Sequence, residues 1–212
     1  NLRNTLYFNR TSSIFGAQYV YQDLQSKVLL ASGFDSRLLK SHELSIRWII
    51  KKQFALEAKG SLGDKASAAD YTTGRDYTLS FCAIEPSIIY QPSTTFRVTL
   101  DGRTSQKTNA LSLGGEVSKV LEFGSTFKYN QAEKGSLLGG IKTVIIEYDG
   151  DANSALGFEM LEALKPGVNY TWNVGYQRSI SRNLQLSIQY NGRKSEGNRI
   201  IHSGGMEVRA FF

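Results

Sequence analysis

The chain has 212 residues, 41% of them hydrophobic, and carries 25 Lys+Arg against 19 Asp+Glu for a formal net charge of +6. It has no apolar run of about 18 residues, which excludes a transmembrane helix, and its one cysteine, Cys82, excludes an internal disulfide or a cysteine-built metal site. The basic residues are spread over alternate positions rather than gathered in a run, which argues against nucleic acid and for contacts with anionic lipid phosphates.

Three prolines, 20 glycines, 11 Tyr and 11 Phe favour sheet and turns over helix. The chain opens at Asn1 inside a strand, with no initiator methionine or signal peptide, as expected of a mature chain or a fragment. Further on, Leu44, Ile46 and Trp48 oppose Ser45 and Arg47, and Phe54, Leu56 and Ala58 oppose Ala55, Glu57 and Lys59. Between Tyr77 and Tyr90 the phase slips near Ala83-Ile84, just before Pro86, which predicts a bulge. Phe96, Val98 and Leu100 then oppose Arg97, Thr99, Asp101 and Arg103. Later, Tyr170, Trp172, Val174 and Tyr176 oppose Asn169, Thr171, Asn173 and Gln177, and Leu184, Leu186, Ile188 and Tyr190 oppose Gln185, Ser187, Gln189 and Asn191. A period of two repeated this often means half-exposed strands.

The chain ends with Met206, Val208, Ala210 and Phe212 on one face of a strand and Glu207 and Arg209 on the other. A closing strand of that kind is the usual signal of an outer-membrane β-barrel. Short connections are expected at about 23–26, 51–53, 91–94, 132–136 and 179–183. Longer ones are expected at about 9–14, 35–41, 61–75, 103–117, 149–168 and 194–200. That alternation predicts a transmembrane antiparallel up-and-down barrel over residues 1–212, of about 12 strands (10–14 at the limits), with short periplasmic turns, long extracellular loops and both chain ends periplasmic. Trp48, Phe96, Tyr129, Tyr148, Tyr170 and Trp172 are expected in two aromatic belts.

The segments Asn153–Leu161, Leu164–Gly167, Tyr170–Asn173, Leu184–Ser187, Tyr190–Lys194 and His202–Gly205, with Arg209–Phe212, resemble the C-terminal β-barrel region of large outer-membrane proteins of Bacteroidota. Tyr7–Ser12 and Lys27–Leu30 extend the resemblance over most of the chain. It implies a barrel at the end of a longer protein, placed in the outer membrane of a Gram-negative bacterium. It supplies no catalytic residue or ligand.

Candidate chemistry is thin. His42 and His202 are the only acid–base candidates of their kind, and His202 and Ser203 point to opposite faces of a strand. Asp149, Asp151 and Asn153 form a weak calcium candidate, because Ser154 and Met160 stand where a calcium hand needs Gly and Glu. Residues 155–165 predict a short helix capped by Asn153 or Ser154 and stopped at Lys165-Pro166-Gly167, with Leu156, Met160, Leu161 and Leu164 as its apolar stripe. It would fold over the barrel mouth or offer a docking surface.

The lumen-facing set is Arg47, Glu57, Lys59, Arg97, Asp101, Arg103, Lys128, Gln185, Gln189, Asn191, Arg193, Glu207 and Arg209. Its mixed signs favour an interlocked, closed interior. The expected function is a non-enzymatic anchor for a larger surface or periplasmic assembly, without cofactor. Its partners would be outer-membrane lipid, lipopolysaccharide and other proteins of a membrane complex. A porin-like or secretion channel is the alternative, and an outer-membrane enzyme the minor one.

Overall fold

A computed structural model describes residues 1–30, 33–70, 76–131, 134–162 and 164–211. Among the described residues eleven strands follow one another: β1 Leu2–Phe8, β2 Phe15–Leu30, β3 Gly33–Lys51, β4 Phe54–Ala69, β5 Tyr77–Tyr90, β6 Phe96–Asn109, β7 Val117–Gln131, β8 Gly135–Asp149, β9 Gly167–Ser181, β10 Leu184–Ser195 and β11 Ile201–Ala210. Each pairs antiparallel with the next in a single sheet ordered β1 to β11. One helix, α1 Ala155–Met160, lies between β8 and β9, and a 3-10 turn at Leu111–Leu113 follows β6. Among the described residues no pairing joins β1 to β11, so these two strands are the edges of the sheet.

The strand count falls within the expected range, but its origin differs. Residues 23–26 and 35–41, expected as connections, are strand interior: Leu24 pairs with Leu39 and Ser26 with Arg37 in an unbroken register. The polar residues there resemble turn chemistry, yet they belong to strands long enough to satisfy each other side by side. Lys40 lies 3.8 Å from Asp23, and Lys27 sits over the Phe34 ring at 4.4 Å. Residues 61–69 and 103–109 are likewise strand rather than loop.

Two consequences follow. The connection at 9–14 lies at the same end as 52–53, 91–95 and 182–183, so short and long connections do not alternate strictly. An odd number of strands also makes β1 and β11 parallel, and the short β1 begins at mid-height, Leu2 pairing with Asp23 halfway along β2. The C-terminus keeps its place at the short-turn end, where the Phe211 amide donates to Asn183 O.

The predicted bulge near Ala83-Ile84 is absent. β4 and β5 pair from Phe54↔Tyr90 to Ser67↔Tyr77 without a shift, and β5 and β6 keep one register on both sides of Pro86. What changes there is the polarity of the faces. Toward the short-turn end the apolar residues of β5 (Ile84, Ile88, Tyr90) share one face; toward the other end (Tyr77, Leu79, Phe81, Ala83) they occupy the opposite one.

The same inversion recurs along the sheet. Near the short turns, Leu44, Ile46, Trp48, Ile88, Leu100, Leu121, Phe123, Phe127 and Ile141 lie exposed on the outer face. Farther out, that face carries Lys40, Asp64, Ser80, Gln106 and Lys119, while the inner face buries Val20, Leu79, Val120, Val144 and Ile146. The inner face is concave: one cavity of about 600 Å³ is lined from β1 (Tyr7) to β8 (Lys142).

The buried cluster at the far end is Val120, Val144, Ile146 and Leu161, with Tyr148, Ala152 and Leu164 packed against it. Met160 is fully buried. Replacing Leu161 by Ala removes apolar contact in the middle of this cluster and is expected to cost about 2–4 kcal/mol. Urea unfolding of the purified chain in detergent, with amide exchange at α1, reads this as a lower midpoint and faster exchange over 155–161.

Candidate functional site

The site is built around the connection between β8 and β9. Asp151 Oδ1 accepts from the Asn153 amide at 2.9 Å, and Ser154 Oγ donates to Asp151 O and accepts from the Gly157 amide, both at 2.8 Å. Ser154 is therefore the N-cap of α1, satisfying an otherwise orphaned helix donor. Gly157 is required by close approach, since a Cβ there would lie 2.3 Å from Asp151 O.

The helix is shorter than expected. It ends at Met160, with Leu161 as C-cap, because Glu162 takes a left-handed conformation at φ 53°. Such a backbone is unfavourable for a side chain larger than glycine, costs on the order of 1 kcal/mol or more, and marks a place worth a functional question. Here it turns the carboxylate of Glu162 back toward the strands. Met160 and Leu161 are buried as expected of the stripe, whereas Phe158 faces away and is 67% exposed.

Glu162 and α1 join an array of charges on the inner face. Arg103 holds Glu162 through two parallel hydrogen bonds of 2.9 Å, the strong bidentate geometry of guanidinium and carboxylate. It also donates to Glu122 at 2.9 Å, and Glu85 lies 3.4 Å from its Nε. Lys142 reaches the other oxygen of Glu122 at 3.0 Å, and Lys107 bonds Glu162 at 2.8 Å. Lys65 pairs with Glu159 on α1. Four cations and four carboxylates thus link β4, β5, β6, β7 and β8 to the helix, and Ser118 Oγ adds a contact of 3.4 Å to Met160 O. The inward carboxylate of Glu122, only 6% exposed, is tolerated because Arg103 and Lys142 neutralise it from two sides.

The register places all thirteen expected lumen residues on one face, the face that carries α1. Of these, only Arg103 belongs to the array of eight charges around α1, called the latch below. Lys59 pairs with Glu43 at 3.1 Å, Arg209 with Glu207 at 2.7 Å, and Arg47 donates to Ser12 O at 3.2 Å. Arg97 and Lys128 stand directly opposite each other. Glu57, Asp101, Gln185, Gln189, Asn191 and Arg193 share the face without joining the latch. Sequence reasoning missed Lys65, Glu85, Lys107, Glu122, Lys142, Glu159 and Glu162. Glu85, Glu122 and Lys142 each stand two residues from an apolar neighbour on the same face, Ala83, Val120 and Val144, whereas Lys65 and Lys107 have only Gly, Ser or Asn there.

Several expectations are corrected. Tyr148 does not join an outer belt: it packs inside against the Val120 cluster. Trp48, Phe96, Tyr129, Tyr170 and Trp172 do lie on the outer face. Both histidines lie on that outer face too, with Ser41 and Ser203 on the inner one. His42 Nδ1 bonds Tyr19 Oη at 2.6 Å, and His202 Nδ1 bonds Tyr190 Oη at 2.7 Å, so each histidine belongs to an aromatic cluster rather than to a serine. At the calcium candidate, Asp151 Oδ1 accepts from the Asn153 amide of its own turn, and among the described residues no three His, Cys, Asp or Glu side chains converge. Met206, Val208 and Ala210 share the outer face opposite Ile188, Leu186 and Leu184, while Phe212 lies outside the described residues.

No family model and no curated protein matches this chain. Solved structures do match its fold. The outer membrane channel DcaP of Acinetobacter baumannii superposes with a TM-score of 0.61 at 9% identity, covering 99% of this chain and 62% of that one. The NanC porin gives 0.43 at 10% identity, covering 99% of this chain and 98% of its own. LpxR from Salmonella typhimurium gives 0.41 at 11%, covering 99% and 88%. The fold is an all-antiparallel up-and-down sheet with almost no helix, similar to the sheets of outer-membrane barrels. The chain spans less than two thirds of the length of the DcaP channel.

Arg103, then Lys107, hold the Glu162 carboxyl far below its ordinary value of 4.5, to about 2, against the opposing effect of burial. A depressed folded-state value means that this contribution to docking is complete above about pH 4.5 and is lost as pH falls through about 2. Amide exchange over 155–161, taken relative to the intrinsic rate at each pH, should accelerate across that window. Glu162→Gln should remove most of the dependence and leave exchange fast at neutral pH.

Proposed function

We propose that the chain is the membrane-spanning part of a Gram-negative outer-membrane protein: a non-enzymatic barrel, closed inside by the α1 latch, that anchors a larger surface or periplasmic assembly. The observation that carries this reading is the latch itself. An eight-charge array ties the β8–β9 connection across the concave face to five strands, which supports a plugged interior over an open pore. The exposed aliphatic and aromatic band near the short turns is the lipid-facing surface. Beyond it the polarity inverts, and the strands continue outside the membrane as an ordinary polar-surfaced sheet. In this reading the C-terminal end is periplasmic and α1 faces the cell exterior.

Hydrocarbon leaves no sheet edge unpaired. Because β1 and β11 run parallel, one further strand antiparallel to both would close the barrel at twelve, an even number. The segment preceding Asn1 in a longer protein is its proposed source, consistent with the resemblance to the C-terminal regions of Bacteroidota proteins. Lipid, lipopolysaccharide and other proteins of the complex are the proposed partners.

A transport channel is the second reading, favoured by the 600 Å³ cavity beneath the latch. Single-channel recording in planar bilayers separates the two. The wild-type protein should show no steady conductance, while Glu162→Gln combined with Leu161→Ala should show openings. Steady openings in the wild type would overturn the plugged reading in favour of the channel.

A further inference from the structure

A second cavity, of about 300 Å³, lies apart from the latch among the connection that enters β9, the far ends of β9 and β10, and the start of β11. Its charged lining is Lys165, Arg193 and Arg199, with no carboxylate among the lining residues. Two register pairs shape it: Arg193 stands opposite Thr171 and Ser195 opposite Asn169. Lys165 donates to Asn198 Oδ1 at 3.1 Å and, among the described residues, has no ion-pair partner. Among the described residues neither arginine has an ion-pair partner. The nearby Glu196 carboxylate is engaged by the Val168 amide at 3.1 Å.

Asn169 gives the cavity a second, independent feature. It is 1% exposed. Its Nδ2 donates to Lys165 O at 2.7 Å and Gly167 O at 3.3 Å, which fixes the orientation of the amide. Its Oδ1 is buried and finds no donor. A buried acceptor left unpaired is costly, and such a group in a native fold calls for a partner. The lining therefore offers three cations that only donate, three hydroxyls (Tyr170, Thr171 and Ser195) that do either, and one acceptor that awaits a donor.

We propose that this cavity binds a small hydroxylated oxyanion. The guanidinium and ammonium groups would hold its phosphate or carboxylate oxygens, and Asn169 Oδ1 would accept from one of its hydroxyls. Planar guanidiniums suit both kinds of oxygen, and the volume is at the lower end of ligand-binding pockets. The site lies at the end of the sheet away from the short turns and apart from the α1 latch, so binding does not require the interior to conduct.

Titration calorimetry of the purified chain in detergent tests this, using glucose 6-phosphate and glucuronate as probes and glucose as the neutral control. At least one charged probe should bind saturably, weaken as salt is raised, and lose about tenfold or more in affinity in the Arg193→Gln/Arg199→Gln variant. Phosphate and carboxylate recognition are told apart by which probe binds. Arg97→Gln/Lys128→Gln, which removes two cations from the far end of the same face, should leave the affinity within about twofold. Both sites of change are exposed, so neither variant threatens the fold. Absence of saturable binding by either charged probe, equal weakening in the two variants, or equal binding of glucose would each overturn the proposal.

Discussion

The structure depends on one constraint: an antiparallel meander whose side chains alternate strictly between two faces, so that each strand's register dictates what every neighbour presents. Ten successive pairings carry that alternation from β1 to β11, with shifts, among the described residues, at Ile49/Lys51 and Leu184/Gln185. The inversion of polarity along the strands depends on it. Without a bulge, a strand can exchange its apolar face only by changing residue type at a given height, and β5 does so between Ala83 and Ile84.

That inversion explains where the helix sits. Beyond the apolar outer band the inner face turns hydrophobic, and Val120, Val144 and Ile146 need a cover. Met160 and Leu161 provide it. The charges then fix its position, since Arg103 can satisfy Glu122 and Glu162 together only if the left-handed turn at Glu162 brings the carboxylate back over β6. Apolar cover and ion pairs reinforce each other: burial strengthens the pairs by removing solvent screening, and the pairs spare the buried carboxylate of Glu122 from standing alone.

Much of the fold was legible because period two is a local signal. Phe96-Val98-Leu100 and Leu184-Leu186-Ile188 needed no tertiary knowledge to be read as one face. The polar stretches 23–26 and 35–41 misled for an equally physical reason. Strand residues that project into water on one side have the composition of turns, and only their pairing with each other shows that the chain continues straight. Tyr148 was misplaced for the converse reason: at the far end of β8 an aromatic points inward, because the faces have already exchanged.

The candidate site was mostly hidden. The sequence alone determined the sheet, its alternation, the outward Met206-Val208-Ala210 face and the shared face of thirteen polar residues, since each follows from spacing along one strand. Tertiary structure decided which charges meet. Arg103 and Glu162 are 59 residues apart, and Lys65 and Glu159 are 94 apart. The strand count and the parallel edges also waited for the structure, because both turn on where strands end. Local spacing orients a side chain toward a face; only the register summed across many strands sets two distant side chains within bonding distance.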